Sequence, residues 1–218
     1  MAGSYRLLQT VAYWPKGTVF VSVVDPGVGS ARKSLVVQTN NDQYIVTPDN
    51  GTLTHIYKKI GIKQIREIDE EVNRLPQSGA SHTFHGRDIY AYTGARLAAG
   101  ALSFADIGQE LKAEEIVCLP YYEPKLEEGS ITGTIDILDV RFGNLWTNIS
   151  RELFLELGVD YGETVEIEIV YDSRSIYHNK MTFGRSFASI HIGEPVLYVN
   201  SLDNMAVAIN QGVICEGL

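Results

Sequence analysis

Three short segments combine reactive side chains with the residues that hold a backbone still. The first is Val24-Asp25-Pro26-Gly27-Val28-Gly29-Ser30-Ala31-Arg32. Gly27 and Gly29 let a backbone approach a ligand closely. Asp25 and Arg32 flank the glycine-rich loop and could face each other; taken alone, this is a tight strand–loop junction with an ion pair. The second is Thr83-Phe84-His85-Gly86-Arg87-Asp88, just ahead of a helix. A Phe-His-Gly sequence at a helix entrance could present an imidazole to a cleft, and His85 by itself reads either as a satisfied structural histidine or as a base. Asp88, in the first turn, suits the helix dipole and has a structural reading. The third is Asp139-Val140-Arg141-Phe142-Gly143-Asn144-Leu145-Trp146-Thr147-Asn148. A carboxylate, an amide and two aromatic rings so closely interleaved suit a zwitterionic ligand carrying a flat base; the alternative is a polar sheet edge or turn.

The elements that would position these groups change character along the chain. Tyr5 to Tyr13 reads as the end of a helix, punctuated by Trp14-Pro15-Lys16-Gly17. Thr18 to Val24 is a β-branched apolar run of the kind buried on both faces of a parallel sheet. It runs into the Asp25 loop, at a strand's C-terminal end, where open α/β sheets bind ligands. Strands are expected at Ser34–Gln38 and Gln43–Thr47, with a turn at Asn40-Asn41-Asp42 between them. A helix is expected from Leu53 to Ile60, a short strand from Gln64 to Ile68, and a helix from Arg87 to Ala101. The two prolines of Leu119-Pro120-Tyr121-Tyr122-Glu123-Pro124 mark a boundary. An α/β domain is thus expected over residues 1–120, and a small all-β domain, a barrel, over residues 121–218. The β domain's strands are read at Gly129–Asp139, Thr164–Tyr171, Lys180–Phe183, Pro195–Asn200 and Met205–Asn210.

Composition excludes several function classes. Of 218 residues, 44% are hydrophobic and 21% charged, so a packed core is expected rather than disorder. A net charge of −9 without a Lys/Arg cluster argues against nucleic acid as a partner. No stretch approaches the roughly 18 apolar residues of a membrane span, and no signal peptide is visible, so a soluble cytoplasmic protein is expected. Cys118 and Cys215 lack metal or disulfide spacing and read as thiols in a reducing compartment. No His/Cys/Asp cluster has metal-ligand spacing, so no metal or other cofactor is expected.

In order, DPGVGxxR, TPDNG, TFHGRD and FGNxWTNI form a pattern that resembles the S-adenosylmethionine (SAM) hydroxide adenosyltransferase, or SAM hydrolase, family, related to the SAM-dependent fluorinase and chlorinase. The resemblance runs from about Gly3 to about Gly212. It implies an N-terminal α/β domain with a central, mostly parallel sheet and a C-terminal β-barrel. It also implies a homotrimer, sometimes paired into a hexamer, with SAM held between the N-terminal domain of one subunit and the C-terminal domain of the next. The activity implied is attack of water or hydroxide on the ribose C5′ of SAM, giving adenosine and methionine, with SAM as substrate rather than cofactor.

By the same resemblance Asp25, Arg32 and His85 form the triad that positions and activates water. The halogenase branch carries tyrosine where Asp25 and His85 stand, and the fluorinase has an inserted loop for which there is no room between Gln38 and Tyr44. Both differences favour water over halide, although chloride-dependent adenosyl transfer and an inactive SAM- or adenosine-binding fragment remain the alternatives. Asp139 would pair with the methionine ammonium and Ser201 with its carboxylate. Phe142 and Phe187 would pack near the adenosine, Asn144 would hydrogen-bond the adenine, and Trp146 would shape the methionine end. Asn210 would lie at the adenine edge, and Leu202 stands where the fluorinase has an arginine. The family's opening strand, with an aspartate that grips the ribose, has no counterpart here, so about one strand–helix–strand unit is expected to be missing. The leaving thioether is neutral and needs no acid. Arg32 would favour hydroxide character, and either Asp25 or His85 would orient the water or accept its proton.

Overall fold

A computed structural model describes residues 1–80 and 82–214; Cys215 lies outside them. The chain divides into two compact units, Gly3–Tyr121 and the residues from Tyr122 onward.

The first unit is a five-stranded sheet covered on both faces. Its elements are helix α1 (Ala2–Val11), strands β1 (Val19–Val21), β2 (Ser34–Thr39) and β3 (Tyr44–Pro48), helix α2 (Thr54–Lys59) and strand β4 (Ile62–Glu67). A π-helical turn (Gly86–Ala91) then leads straight into helix α3 (Tyr92–Ala98), and β5 (Glu110–Leu111) closes the set. Strand alternation sorts the core into two layers. Leu35 and Val37 of β2 and Ile45 of β3 pack with Leu7 and Val11 of α1 and with Leu53 and Ile56 around α2. Val36 and Val46, on the other face, pack with Ile89 and Tyr90 of the π-helical turn.

The strand order is β1-β3-β2-β4-β5. Only β1–β3 is parallel; β2–β3, β2–β4 and β4–β5 are antiparallel, so the expected mostly parallel sheet is corrected. The cause is local: β2 and β3 are joined by the Asn40–Asp42 turn, and so short a connection can only reverse the chain. The expected strand over Thr18–Val24 shrinks to three residues, and Val23 and Val24 are 40% and 55% exposed rather than buried on both faces. The expected helix over Arg87–Ala101 opens as a π-helical turn and ends at Ala98. Gly94 lets α3 lie on β1, since a Cβ there would stand 2.6 Å from Cγ2 of Val21.

The second unit holds a two-stranded ribbon, β6 (Lys125–Glu127) and β7 (Ser130–Thr132), and a six-stranded sheet. The sheet is built from β8 (Ile135–Asp139), β9 (Asn144–Ser150), β10 (Thr164–Tyr171), β11 (Arg174–Phe183), β12 (Pro195–Val199) and β13 (Asn204–Ile209), with helix α4 (Arg151–Leu155) after β9. The order is β10-β11-β12-β13-β9-β8. Among the described residues β8 and β10 do not pair with each other, so the expected barrel is instead a curled half-barrel sheet. Ser150 caps α4, its hydroxyl accepting from the Leu153 amide at 3.2 Å. Leu145, Leu197 and Val207 share the core face with Met181 and Phe183. Asn144 and Trp146, their neighbours along β9, therefore point to the opposite face.

Candidate active site

The loop after β1 brings Asp25 and Arg32 together. Arg32 Nε donates to Asp25 Oδ1 at 2.7 Å and Nη2 donates to Oδ2, a two-pronged pair whose side chains are 9% and 5% exposed. Such parallel charge-assisted bonds fix both direction and register. Gly29 permits the loop's path: its φ is +80°, and a Cβ there would lie 3.1 Å from the His82 carbonyl. Gly27 has ordinary space around it and no such requirement.

Arg32 is further tied to Ser34, the first residue of β2. Nη1 donates to Ser34 Oγ at 3.3 Å, Ser34 donates to Glu70 Oε1 at 2.6 Å, and the Tyr90 hydroxyl lies 2.9 Å from the same Oγ. The guanidinium also stands 5.5 Å from the centre of the Tyr90 ring. Burial opposes the charge on Arg32, but the Asp25 hydrogen bond and the surrounding anions outweigh it and raise its pKa. Tyr90, fully buried, has its phenol pushed up to about 12 chiefly by burial, so it stays protonated and donates.

His85 stands at the entrance of the π-helical turn, makes no side-chain capping bond there, and is buried. Burial lowers its pKa; the nearby charges of Glu70, Arg74, Arg32 and Asp25 act in opposing directions. The imidazole is therefore neutral at pH 7. Among the described residues its Nδ1 has no hydrogen-bond partner. Phe84 and Gly86, its chain neighbours, line an open cleft of about 220 Å³ together with Asp25, Val23, Val28 and Arg87. The Arg87 guanidinium stands over the Phe84 ring at 5.1 Å and donates to the buried Asp88 at 2.6 Å. Asp88 is thus an anchor for the rim rather than only a helix-dipole residue.

In the second unit, four of the expected binding residues gather around one not singled out from the sequence, Tyr198. Asn144 Nδ2 and Trp146 Nε1 both donate to the Tyr198 hydroxyl, at 3.2 and 3.1 Å. The Phe187 ring lies 5.1 Å from the Tyr198 ring. Asp139, 4% exposed, pairs in register with Asn144 and acts electrostatically on Tyr198. Register explains the cluster: Trp146 pairs with Ala206 and Ala206 with Tyr198, so the two large side chains flank a small one on the same face. Burial raises the Tyr198 phenol, with smaller opposing effects from its two donors. Phe142 stands apart, 70% exposed on the β8–β9 turn. Ser201 is exposed in the turn between β12 and β13. Asn210, just past β13, donates its side-chain amide to the Ile190 carbonyl at 3.1 Å.

Residues 1–108 match the SAM hydroxide adenosyltransferase N-terminal domain, and residues 133–218 match the SAM hydroxide adenosyltransferase C-terminal domain. The chain belongs to the SAM hydroxide adenosyltransferase family.

Within that family the chain is 40% identical to the (R)-S-adenosyl-L-methionine hydrolase of Methanocaldococcus jannaschii over 167 residues, 77% of this chain and 54% of that protein. The chain thus spans about half the length of that relative. It is 32% identical to the (R)-S-adenosyl-L-methionine hydrolase of Thermus thermophilus, covering 99% of this chain and 77% of that one. A fluorinase from Actinopolyspora mzabensis is 28% identical over 95% of the chain and 75% of its own length. Among solved structures, an uncharacterized conserved protein from Thermotoga maritima superposes with a TM-score of 0.86 at 34% identity, over 98% of this chain and 78% of that one. Among the described residues no group of three or more His, Cys, Asp or Glu could hold a metal ion, and no helix is long and apolar enough to cross a membrane.

Proposed function

We propose that the chain hydrolyses SAM. A water oxygen attacks the ribose C5′, the C5′–S bond breaks, and sulfur keeps the bonding pair and leaves as the neutral thioether of methionine; the other product is adenosine and one proton is released. The observation that carries this reading is a fixed cation, Arg32, held by the cleft-lining Asp25, together with the neutral imidazole of His85, whose chain neighbours Phe84 and Gly86 line the same cleft. Both Asp25 oxygens are engaged by Arg32, whereas His85 Nδ1 has no partner among the described residues. His85 is therefore the group proposed to take the proton, with Arg32 stabilising the developing hydroxide and Asp25 holding Arg32. The hydrolase names of relatives at 32–40% identity support the same reaction.

The second unit's cluster would bind the substrate. An Asn144 that donates to Tyr198 through Nδ2 keeps its carbonyl oxygen to accept from the adenine amine. Asp139 would take the methionine ammonium and Ser201 its carboxylate, Phe142 and Phe187 would lie against the adenosine, Trp146 would bound the methionine end, and Asn210 would meet the adenine edge. The trimer, the cytoplasmic location and the cofactor-free reaction belong to the same proposal.

The test is incubation of the purified chain with SAM in chloride-free buffer, followed by liquid chromatography with mass detection. Adenosine and methionine in equal amounts, absent without enzyme and with Asp25→Ala, support the reading. A chloride-dependent 5′-chloro-5′-deoxyadenosine product overturns the choice of water, and binding without product reduces the chain to a SAM-binding protein.

A further inference from the structure

We propose that Ser34 is a positioning residue for Arg32, acting as the hub of an ordered Tyr90–Ser34–Glu70 network, a role that rests on the hydrolytic reading of the site. Chemistry fixes the direction of every bond. A guanidinium can only donate, and a carboxylate can only accept. Ser34 must then give its one proton to Glu70 at 2.6 Å and accept from Arg32 Nη1 at 3.3 Å and from the Tyr90 hydroxyl at 2.9 Å. All three hydrogen-bonding positions of the hydroxyl are used. Its polarity also matches its surroundings, because Tyr90 stays protonated and Arg32 stays charged.

The frame around the hub is rigid. Ser34 is 1% exposed, its backbone carbonyl accepts from the Ile68 amide at 2.7 Å, and it pairs in register with Pro48 of β3. Glu70 is steadied in turn by Arg74, whose Nη2 is 3.5 Å from Oε2. Asp25 grips Nε and Nη2 on one side of the guanidinium, and Ser34 holds the remaining nitrogen, Nη1, on another. A carboxylate–guanidinium pair held only by Asp25 can swing as a unit; the third contact stops that swing. Ser34 thus touches no substrate but sets where the Arg32 charge lies, and small misplacements of such a charge are costly to catalysis.

The test combines kinetics with a substrate-free measurement on the full chain. Ser34→Ala is expected to lower kcat about tenfold with KM nearly unchanged, as for loss of one hydrogen bond to a charged group. Ser34→Thr, which keeps the hydroxyl, recovers most of that loss. In an Arg32→Lys background, which cannot use the fork, Ser34→Ala should cost little more. In arginine-15N-labelled protein without SAM, hydrogen exchange at Arg32 Nε, assigned by its loss in Arg32→Lys, should accelerate in Ser34→Ala. Unchanged exchange at Arg32, or a full extra kcat loss in the Arg32→Lys background, overturns the proposal. A wild-type chain that does not turn SAM over counts against the hydrolytic reading alone, and the exchange rates then decide the role of Ser34.

Discussion

Asp25 and Arg32 meet through two parallel hydrogen bonds with both side chains nearly out of water. The pair makes each partner conditional on the other. Asp25→Ala leaves a guanidinium buried with, among the described residues, Ser34 alone to accept from it, a change that costs about 3–5 kcal/mol of stability in comparable buried pairs. Because the pair borders an open cleft, the lower figure is expected in urea titrations. Turnover of SAM should fall about a hundredfold or more, the scale of losing one preorganised charge. The double change Asp25→Leu with Arg32→Met separates the two roles: it should regain most of the stability and none of the turnover. A double variant still as unstable as Asp25→Ala would show that the pair is not what holds the loop.

The neutral imidazole of His85 predicts a pH profile. Burial holds its pKa below the ordinary 6.5. As the acceptor of the water proton it must be neutral, so kcat should be flat through pH 7 and fall only as the pH drops below that ordinary value. His85→Gln should remove the acidic limb along with most of the activity. Stability follows the same sign. The unfolded chain binds a proton at His85 at higher pH than the folded one, so folding free energy declines as pH falls through 6.5 and levels off below the folded value. Urea midpoints for wild type and His85→Gln between pH 5 and pH 8 test this. An imidazole titrating above 6.5 by proton NMR would contradict it.

Tyr198 is expected to govern substrate affinity rather than the chemical step. Its hydroxyl is the shared acceptor for Asn144 and Trp146, and burial keeps it protonated. Tyr198→Phe removes the oxygen that accepts from both Asn144 Nδ2 and Trp146 Nε1. KM for SAM should rise about tenfold, the effect of losing orienting hydrogen bonds, with kcat nearly unchanged. A drop confined to kcat would place Tyr198 with the reacting atoms instead.

What could be read from residues alone follows from how local the cause is. The β2–β3 hairpin, α1, and the facing of Asp25 and Arg32 depend on alternation, breakers and a loop only a few residues long, all visible in one stretch of chain. The antiparallel pairing of β4 with β2 and β5 and the incomplete closure of the second unit depend on contacts between distant segments, and no local pattern encodes those. The Asn40–Asp42 turn was nevertheless a usable sign that β2 and β3 run antiparallel. Glu70 is not legible as a site residue because it sits in the run Asp69-Glu70-Glu71, which reads as a solvated acidic stretch. Tyr198 reads as one more residue of an apolar strand; its partner Ala206 supplied the only hint, a small residue leaving room for a large neighbour.

Gly94 offers a prediction about the scaffold rather than the site. It lies inside α3 at an ordinary helical position, where alanine is the better helix former by about 1 kcal/mol. Propensity alone therefore predicts that Gly94→Ala stabilises the protein. Packing predicts the reverse, because the new methyl would stand 2.6 Å from Val21 Cγ2 and 3.5 Å from Val46 Cγ2. Val46 is fully buried, and Val21 belongs to β1, whose C-terminal end leads to Asp25. Overpacking of this kind costs about 1–3 kcal/mol, so it outweighs the helix gain and the net change should be destabilising. Relief can come from β1 moving away from α3, so kcat should fall along with the urea midpoint. Pairing Gly94→Ala with Val21→Ala removes the contacting methyl groups and should recover part of both losses. A single Gly94→Ala protein more stable than wild type would mean that α3 and β1 lie further apart than the structure has them.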